Sequence, residues 1–384
     1  MCNLPTVGFT IHAQLARTET FVHNQLTGLR RHRGVVLAHH RRPESDFPLG
    51  EGAIARELLS PTLGRIDALT YRVSRVALPQ SVTALARYAV SEDVRLLHFH
   101  YLTDARFLLG LQRRTGLPSV VSVYGYDVAA FPKYARGLGA HYLRPIFGRL
   151  DMFLAMSDDM RRDLVALGCP DAKIRVHYHG SDTRRFRWPQ RVHARDAPLN
   201  ILCCGRQVQA KGQHLVLEAL RRINGHARHD FRVTFVGDGP LRRQLNAMVE
   251  RYGWQSRVRF MGHLPYTSDA LVQQFRDADI FAHPSFTVDH LKEGIPGTIV
   301  EAMASGMPVV ATWHAGIPEV IEHGRDGLLV SEEDVDGLAG ALESLLGDAA
   351  LRRRLGDAAA ERAAQELDLQ ARTVALERLY DELT

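Results

Sequence analysis

The stretch "LNILCCGRQVQAKGQHLVLEAL" at residues 199–220 decides the fold, because it contains an apolar strand, a glycine turn and an amphipathic helix in that order. Short apolar runs alternate with amphipathic helices on both sides of it, from "LPTVGFTI" near the N-terminus to "GLLVS" near residue 330. Such alternation is typical of units in which parallel strands are joined by helices. We therefore predict an α/β protein.

The 384 residues are too many for one ordinary core and predict two domains. The alternation stops at 182–198, where arginines and two prolines replace the apolar periodicity, so we interpret this segment as a linker. It separates a first domain, 1–181, from a second, 199–365. Ligands of α/β domains bind at the carboxyl ends of the parallel strands, which predicts a cleft between the two domains.

The bulk composition restricts the class of protein. Hydrophobic residues make up 45% and charged residues 24% of the chain, and no apolar run is long enough to span a bilayer. The N-terminus resembles no secretory signal, and the four cysteines have no zinc spacing, so we expect a reducing, cytoplasmic location. The formal net charge of +5 favours an anionic partner. The arginines are dispersed and no nucleic-acid-binding motif occurs, so we expect no nucleic-acid partner.

An anion site is predicted at the start of the second domain. Arg206 follows the turn glycine Gly205, and Lys211 stands at the mouth of the next helix, where a cation opposes the helix dipole. A bound phosphate would make this arrangement favourable, although a solvated surface lysine explains Lys211 alone. Two other phosphate loops are excluded: the P-loop pattern is absent, and "GDGPLR" has Arg242 where a dinucleotide fingerprint needs its third glycine.

Two glutamates, Glu293 and Glu301, flank the Gly/Pro-rich turn of "EGIPGTIVEAMASG". Thr298 and Glu301 match a capping box with Thr298 as N-cap, which would explain Glu301 without a ligand. It does not explain Glu293, which precedes the turn. Carboxylates accept hydrogen bonds from hydroxyls, and a ligand with both phosphates and hydroxyls is a nucleotide-sugar.

Six motifs in the second half resemble glycosyltransferase family 4, the retaining glycosyltransferases of GT-B fold. They are "GRQVQAKG", "FVGDGPLRRQL", "FMGHL", "ADIFAHPS", the two glutamates eight positions apart, and "EAMASGMPVVATWHAGIPEVIEHGRDGLLV". In the first half, "TETFVHNQL", "LLHFHYLTDA", "VYGYDV" and "HYHGSDTRRF" are similar to the exopolysaccharide branch of colanic-acid type. The resemblance implies two Rossmann-like domains that face a central cleft, with a C-terminal helix of about 366–384 crossing back onto the N-terminal domain.

The resemblance also implies roles in binding the donor. Arg206 and Lys211 match diphosphate ligands, Glu301 a ribose ligand, and Glu293 a residue near the sugar and the reacting centre. Backbone amides of the turn would approach the sugar and the phosphates, and "FMGHL" would hold the base. The implied donor-binding residues are Gly205, Arg206, Lys211, His263, Leu264, Glu293, Gly294, Ile295, Pro296, Gly297, Thr298, Ile299 and Glu301.

The chain departs from the family at Tyr124, where many relatives have a histidine that is placed by the donor sugar and treated as catalytically important. Tyrosine has a reference pKa of about 10 and offers no imidazolium near neutral pH. Either Tyr124 substitutes as a hydrogen-bond donor, or His100 takes the role. Alternation would point His98 and His100 to one face. No third ligand is identifiable beside them, so we predict no metal site.

Three residues are candidates for the acceptor side. Glu19 and Thr20 lie where a loop meets a helix, although charge matching at the helix N-terminus explains Glu19 as well. Asp127 either positions a sugar hydroxyl or caps the next turn.

These features together predict a metal-independent, retaining hexosyltransferase without a cofactor. It would move a hexosyl group from a UDP- or GDP-sugar to a hydroxyl of a saccharide or lipid-linked acceptor in bacterial polysaccharide or glycoconjugate biosynthesis. The basic runs "LRRHRG" and "HHRRP" suggest peripheral contact with anionic lipid at the inner face of the membrane. The alternatives are a GT-B nucleotide-sugar epimerase, a natural-product glycosyltransferase and a non-catalytic sugar-nucleotide binder.

Overall fold

The structure is a computed structural model that describes residues 4–13, 15, 19–42, 50–74, 77–188, 198–223 and 230–384, with the backbone alone at 72–74 and 134–136. The chain forms two units, and each is described by itself. Unit 1 comprises Met1–His179 and Leu369–Thr384, and unit 2 comprises Gly180–Asp368.

Unit 1 is built on a seven-stranded parallel sheet in the order β3-β2-β1-β4-β5-β6-β7. Its strands are β1 (Thr6–Ala13), β2 (Arg33–His40), β3 (Gly52–Ile54), β4 (Val94–His100), β5 (Ser119–Ser122), β6 (Met152–Ala155) and β7 (Ile174–Val176). The first seven helices are α1 (Thr20–Gly28), α2 (Pro61–Ser74), α3 (Pro79–Ser91), α4 (Leu102–Phe107), α5 (Leu109–Thr115), α6 (Tyr134–Arg149) and α7 (Asp158–Ala166).

Unit 2 repeats this plan with six parallel strands in the order β10-β9-β8-β11-β12-β13. They are β8 (Leu199–Cys204), β9 (Phe231–Val236), β10 (Val258–Gly262), β11 (Ile280–His283), β12 (Val309–Thr312) and β13 (Leu328–Val330). The helices are α8 (Thr183–Phe186), α9 (Gln213–Ile223), α10 (Arg242–Arg251), α11 (Asp269–Asp277), α12 (Gly297–Ala304), α13 (Ile317–Val320), α14 (Val335–Gly347) and α15 (Ala349–Glu366).

The strand that opened the sequence analysis lies near the centre of the unit 2 sheet. Strand β8 has neighbours on both sides and is apolar on both faces, as expected for a buried parallel strand. Cys203 and Cys204 are buried, and burial raises the pKa of both thiols. Both cysteines therefore pack as apolar side chains. Across the described residues, no helix is both long and apolar enough to cross a bilayer.

The segment expected to be a linker, 182–198, is partly folded. Asp182 caps the short helix α8 by accepting a hydrogen bond from the Arg185 amide, and Phe186 is fully buried against Phe275. The sequence did not reveal this helical turn because one capping residue and one buried aromatic side chain are enough to anchor it. No apolar periodicity is needed. Residues 189–197 lie outside the described part of the chain.

The last helix, α16 (Leu369–Asp381), belongs to unit 1, which confirms the predicted return of the C-terminal helix. Glu377 is fully buried, and its Oε1 accepts the backbone N–H groups of Arg30, Arg31 and His32 at 2.9, 2.6 and 3.0 Å. Tyr380 is also fully buried, and its hydroxyl lies 2.6 Å from Nδ1 of His98. Helix α16 therefore contributes two buried side chains to the core of unit 1.

We predict that Glu377→Ala destabilises unit 1 by about 2 kcal/mol, because three N–H groups, of which that of His32 is buried, lose their acceptor. Urea unfolding of the full chain measures this change. Glu382→Ala, at an exposed position beyond the same helix, is the matched control and should leave the midpoint unchanged. Equal midpoints for the two variants would contradict the proposed role of the carboxylate.

Candidate functional site

The loop that joins β8 to α9 is held by glycines that no other residue can replace without strain. Gly212 has a φ of +65°, and a Cβ built on it would lie 2.1 Å from the carbonyl oxygen of Pro284. The side chain of Lys211 passes Gly205, whose added Cβ would lie 3.9 Å from the Lys211 Cε and 3.8 Å from the His283 Cε1. The close approach at Gly212 therefore fixes Lys211 beside the end of β11.

Lys211 forms an ion pair with Glu293, with Nζ 2.8 Å from Oε1. Burial alone would raise the pKa of Glu293, but the Lys211 ammonium beside it lowers this pKa below its ordinary value. Glu293 is therefore ionised at neutral pH. The sequence analysis expected Lys211 to bind phosphate and Glu293 to bind the sugar. In the structure these two side chains contact each other directly.

A second layer of side chains holds the backbone at Glu293. The amide of Glu293 donates to Nε2 of His314 over 3.1 Å, and Nδ1 of the same ring lies 2.7 Å from Oε1 of Glu332. His314 is fully buried. Because Nε2 accepts a hydrogen bond, the proton resides on Nδ1 and points to the carboxylate. The sequence analysis quoted "WHAG" within a motif and gave His314 no role.

His283 at the end of β11 was also missed. Its ring is buried, and its Nε2 has no hydrogen-bond partner among the described residues. Burial, followed by the charge of Lys211, lowers the pKa of His283 to about 3. The ring beside Lys211 is therefore a neutral imidazole. A signal existed in "ADIFAHPS", where the histidine ends an otherwise apolar strand.

The predicted capping box is wrong. Helix α12 begins at Gly297 with Pro296 as its N-cap, and no side chain caps it. The fixed φ of proline starts the helix earlier than Thr298, which places Glu301 beyond the first turn and away from the free N–H groups. Glu301 is only 5% exposed, and burial raises its pKa to about 7, opposed by the charge of Arg185. Glu301 therefore needs an explanation other than capping.

The remaining predicted donor residues all lie in unit 2. Arg206 is exposed, and its guanidinium makes no ion pair within the described ranges. His263 is exposed and Leu264 half-buried directly after β10. In the turn before α12 and at the start of that helix, the other predicted members comprise buried Ile295, Pro296 and Ile299, half-buried Gly294 and Thr298, and exposed Gly297.

The two glycines of "GDGPLR" have a packing role. A Cβ on Gly237 would lie 2.1 Å from the carbonyl oxygen of Gly205, and one on Gly239 would lie 2.4 Å from that of Gln207. These glycines let the turn after β9 approach the turn after β8. Close packing of the two turns therefore explains the glycines that make this stretch resemble a dinucleotide fingerprint.

In unit 1, Tyr124 and His100 contact each other. The Tyr124 hydroxyl lies 2.9 Å from Nδ1 of His100, both side chains are buried, and Nε2 of His100 has no partner in the described structure. Burial lowers the pKa of His100 and raises that of Tyr124, so both are neutral. His98 differs from His100, because its two nitrogens contact Tyr380 and Ser122.

The acceptor-side candidates have local partners. Asp127 is buried and accepts from the amide of Tyr124 at 3.2 Å and, more weakly, from that of Thr103 at 3.4 Å, so it has the contacts of a turn cap. Burial raises the pKa of Asp127 to about 7. Helix α1 begins at Thr20 with Glu19 as its N-cap residue, but the Glu19 side chain makes no capping bond and instead accepts from the Tyr101 hydroxyl at 3.2 Å.

Comparison with known proteins gives two family matches. The model described as "Glycosyltransferase Family 4" matches residues 18–185, and "Glycosyl transferases group 1" matches residues 185–362. The chain is 39% identical over 79% of its length to "Putative colanic acid biosynthesis glycosyltransferase WcaL" of Escherichia coli (strain K12), and the match covers 76% of that protein. The protein of the same description from Salmonella typhimurium is 36% identical over 57% of this chain, a match that covers 53% of the Salmonella protein.

Among solved structures, Anabaena HepE in complex with UDP and glucose is similar to this chain with a TM-score of 0.77. The similarity covers 99% of this chain and 100% of the other, at 18% sequence identity. At that identity the likeness applies to the fold alone.

We predict that Gly212→Ala destabilises the protein more than Gly253→Ala by about 2 kcal/mol, because only the first adds a clash with backbone. Gly253 has a φ of +67°, close to that of Gly212, but open space around its Cβ position, so it is a control for backbone strain. Urea unfolding of both variants measures the difference. Equal destabilisation would show that the loop moves away from Pro284 at no cost.

Glu301→Gln should reveal the raised pKa of Glu301 as a pH-dependent gain in stability. The folded carboxyl holds its proton to about pH 7, whereas the reference value is 4.5, so ionisation of Glu301 costs stability as pH rises between these values. The free energy of unfolding of the variant relative to wild type should therefore rise by up to about 3 kcal/mol from pH 4.5 to pH 7.5. Glu250→Gln, on the exposed face of α10, is the control. A pH-independent difference for Glu301→Gln would contradict this.

Proposed function

This chain belongs to glycosyltransferase family 4 and has the GT-B fold, and on that premise we propose that it transfers a hexosyl group from a UDP- or GDP-sugar to a hydroxyl of a saccharide or lipid-linked acceptor. The relatives named for colanic acid biosynthesis support a role in bacterial polysaccharide biosynthesis. The observation that carries the proposal is the ion pair between Lys211 and Glu293 at the glycine-rich loop after β8.

The ion pair is suited to receive a diphosphate. An ammonium group has three N–H donors, so Lys211 can keep Glu293 and still bind phosphate oxygens. Arg206 is exposed beside the same loop and adds a second positive charge. The N-terminus of α12 offers backbone N–H groups and the positive end of a helix dipole to an anion. Lys211, Arg206 and the N-terminus of α12 would together bind a pyrophosphate without a metal ion.

The two carboxylates would divide the hydroxyls of the donor between them. Glu293, held by Lys211 and by the contact of its amide with His314, would face the sugar. Glu301 would accept from the ribose hydroxyls, and His263 and Leu264 would contact the base. A bound ribose gives the buried carboxyl of Glu301 the hydrogen-bond donors that α12 does not supply.

The reaction would proceed through an oxocarbenium-like transition state while negative charge develops on the departing phosphate. Electrostatic stabilisation of that oxygen is the strongest contribution a site of this kind makes. Lys211 and Arg206 would supply it, and the phosphate would take the acceptor's proton on the same face, which retains the anomeric configuration. Because His100 and Tyr124 are neutral and hydrogen-bonded to each other, one N–H or O–H of the pair would remain to donate a hydrogen bond to the sugar.

The contact between Tyr124 and His100 favours one second candidate, a non-catalytic sugar-nucleotide binder. The hydroxyl of Tyr124 already has a partner inside unit 1. Isothermal titration with the donor, combined with an assay of donor hydrolysis, separates the candidates, because a binder would bind the donor and leave it intact.

Contact with anionic lipid stays a prediction, and the ion pairs of the basic runs argue against it. Arginines within these runs already face carboxylates of unit 1, which reduces the positive field available to a membrane. The pairs are Arg31 with Asp381, Arg33 with Glu51 and Glu92, and Arg41 with Glu57. Co-sedimentation with vesicles that is independent of lipid charge would contradict this prediction.

A thermal-shift panel of UDP-, GDP- and ADP-glucose tests the donor class. A ligand that binds only the folded chain raises the melting temperature, so a UDP- or GDP-sugar should stabilise the protein more than the ADP-sugar. Magnesium chloride and EDTA should leave this shift unchanged. Failure of every nucleotide-sugar to raise the melting temperature would overturn the proposed donor site.

Lys211→Met and Glu293→Gln should each lower kcat/KM for transfer by at least about 100-fold, because each removes a charge that faces the leaving group or the sugar. Both variants should still unfold cooperatively. Arg251→Ala removes an exposed charge at the end of α10 and serves as the control. Near-wild-type turnover by either site variant would show that the roles are wrongly assigned.

A further inference from the structure

Three histidines that the proposed transfer does not use converge in unit 1. His12 lies near the end of β1, and His39 and His40 end β2, the neighbouring strand in the sheet. One ring nitrogen from each histidine lies within 4.8 Å of those of the other two. In the described part of the chain, no other group of histidine, cysteine or acidic residues has this proximity. The sequence analysis predicted no metal site, because it found no third ligand beside His98 and His100 and did not consider these three histidines together.

Each of the three rings has a buried nitrogen that lacks a hydrogen-bond partner. These atoms are Nε2 of His12, Nδ1 of His39 and Nδ1 of His40. Buried polar atoms are almost always satisfied, and three unsatisfied imidazole nitrogens in one place are an exception that needs a cause. A ligand that accepts three lone pairs at once provides that cause.

The His39 ring has a carboxylate on its other side. Nε2 of His39 lies 2.7 Å from Oδ2 of Asp67, which Arg56 and Ser81 hold in turn. Histidines that ligate metals usually donate their other N–H to a carboxylate or a carbonyl in this way, which fixes the tautomer and directs the lone pair to the metal.

The local electrostatics suit neutral imidazole ligands. Burial is the main cause that lowers the pKa of His12 to about 3 and those of His39 and His40 to about 4. Two guanidinium groups, Arg42 and Arg56, face the rings and contribute to these shifts. One carboxylate partly offsets them.

That carboxylate is Asp67, whose Oδ2 lies 2.7 Å from Nε2 of His39. Asp104 accepts the backbone N–H of His12 at 2.6 Å, but burial raises its pKa well above the ordinary value, so it adds a hydrogen bond and no negative charge near neutral pH. The aromatic rings of Tyr71 and Phe107 lie 4.6 and 5.2 Å from that of His12 and add apolar surroundings. The position therefore combines three imidazole rings, one carboxylate and a largely dry environment.

We propose that His12, His39 and His40 bind one divalent transition-metal ion, with Zn²⁺ as its occupant. Zinc favours imidazole ligands and four-coordinate geometry, so three histidines leave one position for water, for a nearby carboxylate or for an incoming ligand. The ion ties the end of β1 to the end of β2. The metal site belongs to unit 1, whereas Lys211 and Glu293 belong to unit 2. The proposed metal site is therefore independent of the proposed transfer.

The test uses the full chain without an affinity tag, stripped with a chelator and dialysed. Titration calorimetry with zinc chloride and elemental analysis after gel filtration should give one Zn²⁺ per chain with a dissociation constant below about 1 μM. Co²⁺ should give the visible absorption of a tetrahedral site with nitrogen ligands. A stripped chain that binds no Zn²⁺, or an ion that gel filtration removes, would overturn the proposal.

Variants assign the ion to these residues. His12→Gln and His40→Ala should each lower the zinc content from one to nearly zero, while His141→Gln, on the exposed face of α6, should keep it at one. Asp67→Asn should weaken binding by about 10- to 100-fold, because it removes the group that orients His39. Circular dichroism and the thermal shift with donor show that each variant is folded. An unchanged zinc content in folded His12→Gln and His40→Ala would overturn the proposal.

Discussion

The ion pair between Lys211 and Glu293 is the interaction around which the proposed donor site of unit 2 is organised. It joins the loop after β8 to the turn before α12, two segments that are distant in sequence. Lys211 reaches Glu293 because Gly212 lets its loop lie against Pro284, and Glu293 is held from behind by His314. A diphosphate that approaches this pair meets an ammonium group already placed and a carboxylate already charged. Little reorganisation is then required when the donor binds.

Much of the fold could be predicted from the sequence, because apolar runs in parallel strands are nearly continuous and are easily distinguished from amphipathic helices. The order of the strands in the two sheets was not predicted, because the handedness of the crossovers does not determine which strands become neighbours. The family resemblance drew attention to the loop after β8 and to the two glutamates. It also implied that the C-terminal helix returns to the first unit, which the sequence pattern alone does not indicate.

The contacts that could not be predicted are those between residues far apart in the chain. The capping box at Thr298 satisfied a local pattern, but Pro296 starts the helix earlier and a local rule has no means to decide between them. The pairing of His314 with Glu293 and Glu332 depends on how two loops meet beyond the strands. His12 and His39 meet only because β1 and β2 are neighbours in the sheet. In each case the tertiary structure supplies a partner that spacing in the sequence does not reveal.

The three backbone N–H groups that Glu377 binds have a consequence for biosynthesis. Arg30, Arg31 and His32 are synthesised before the whole of unit 2, whereas the carboxylate that satisfies them is synthesised after it. Unit 2 is contiguous in sequence, so it can fold before α16 has been made. Unit 1 cannot complete its core until α16 is available, so its earlier segments remain exposed to chaperones while unit 2 is synthesised.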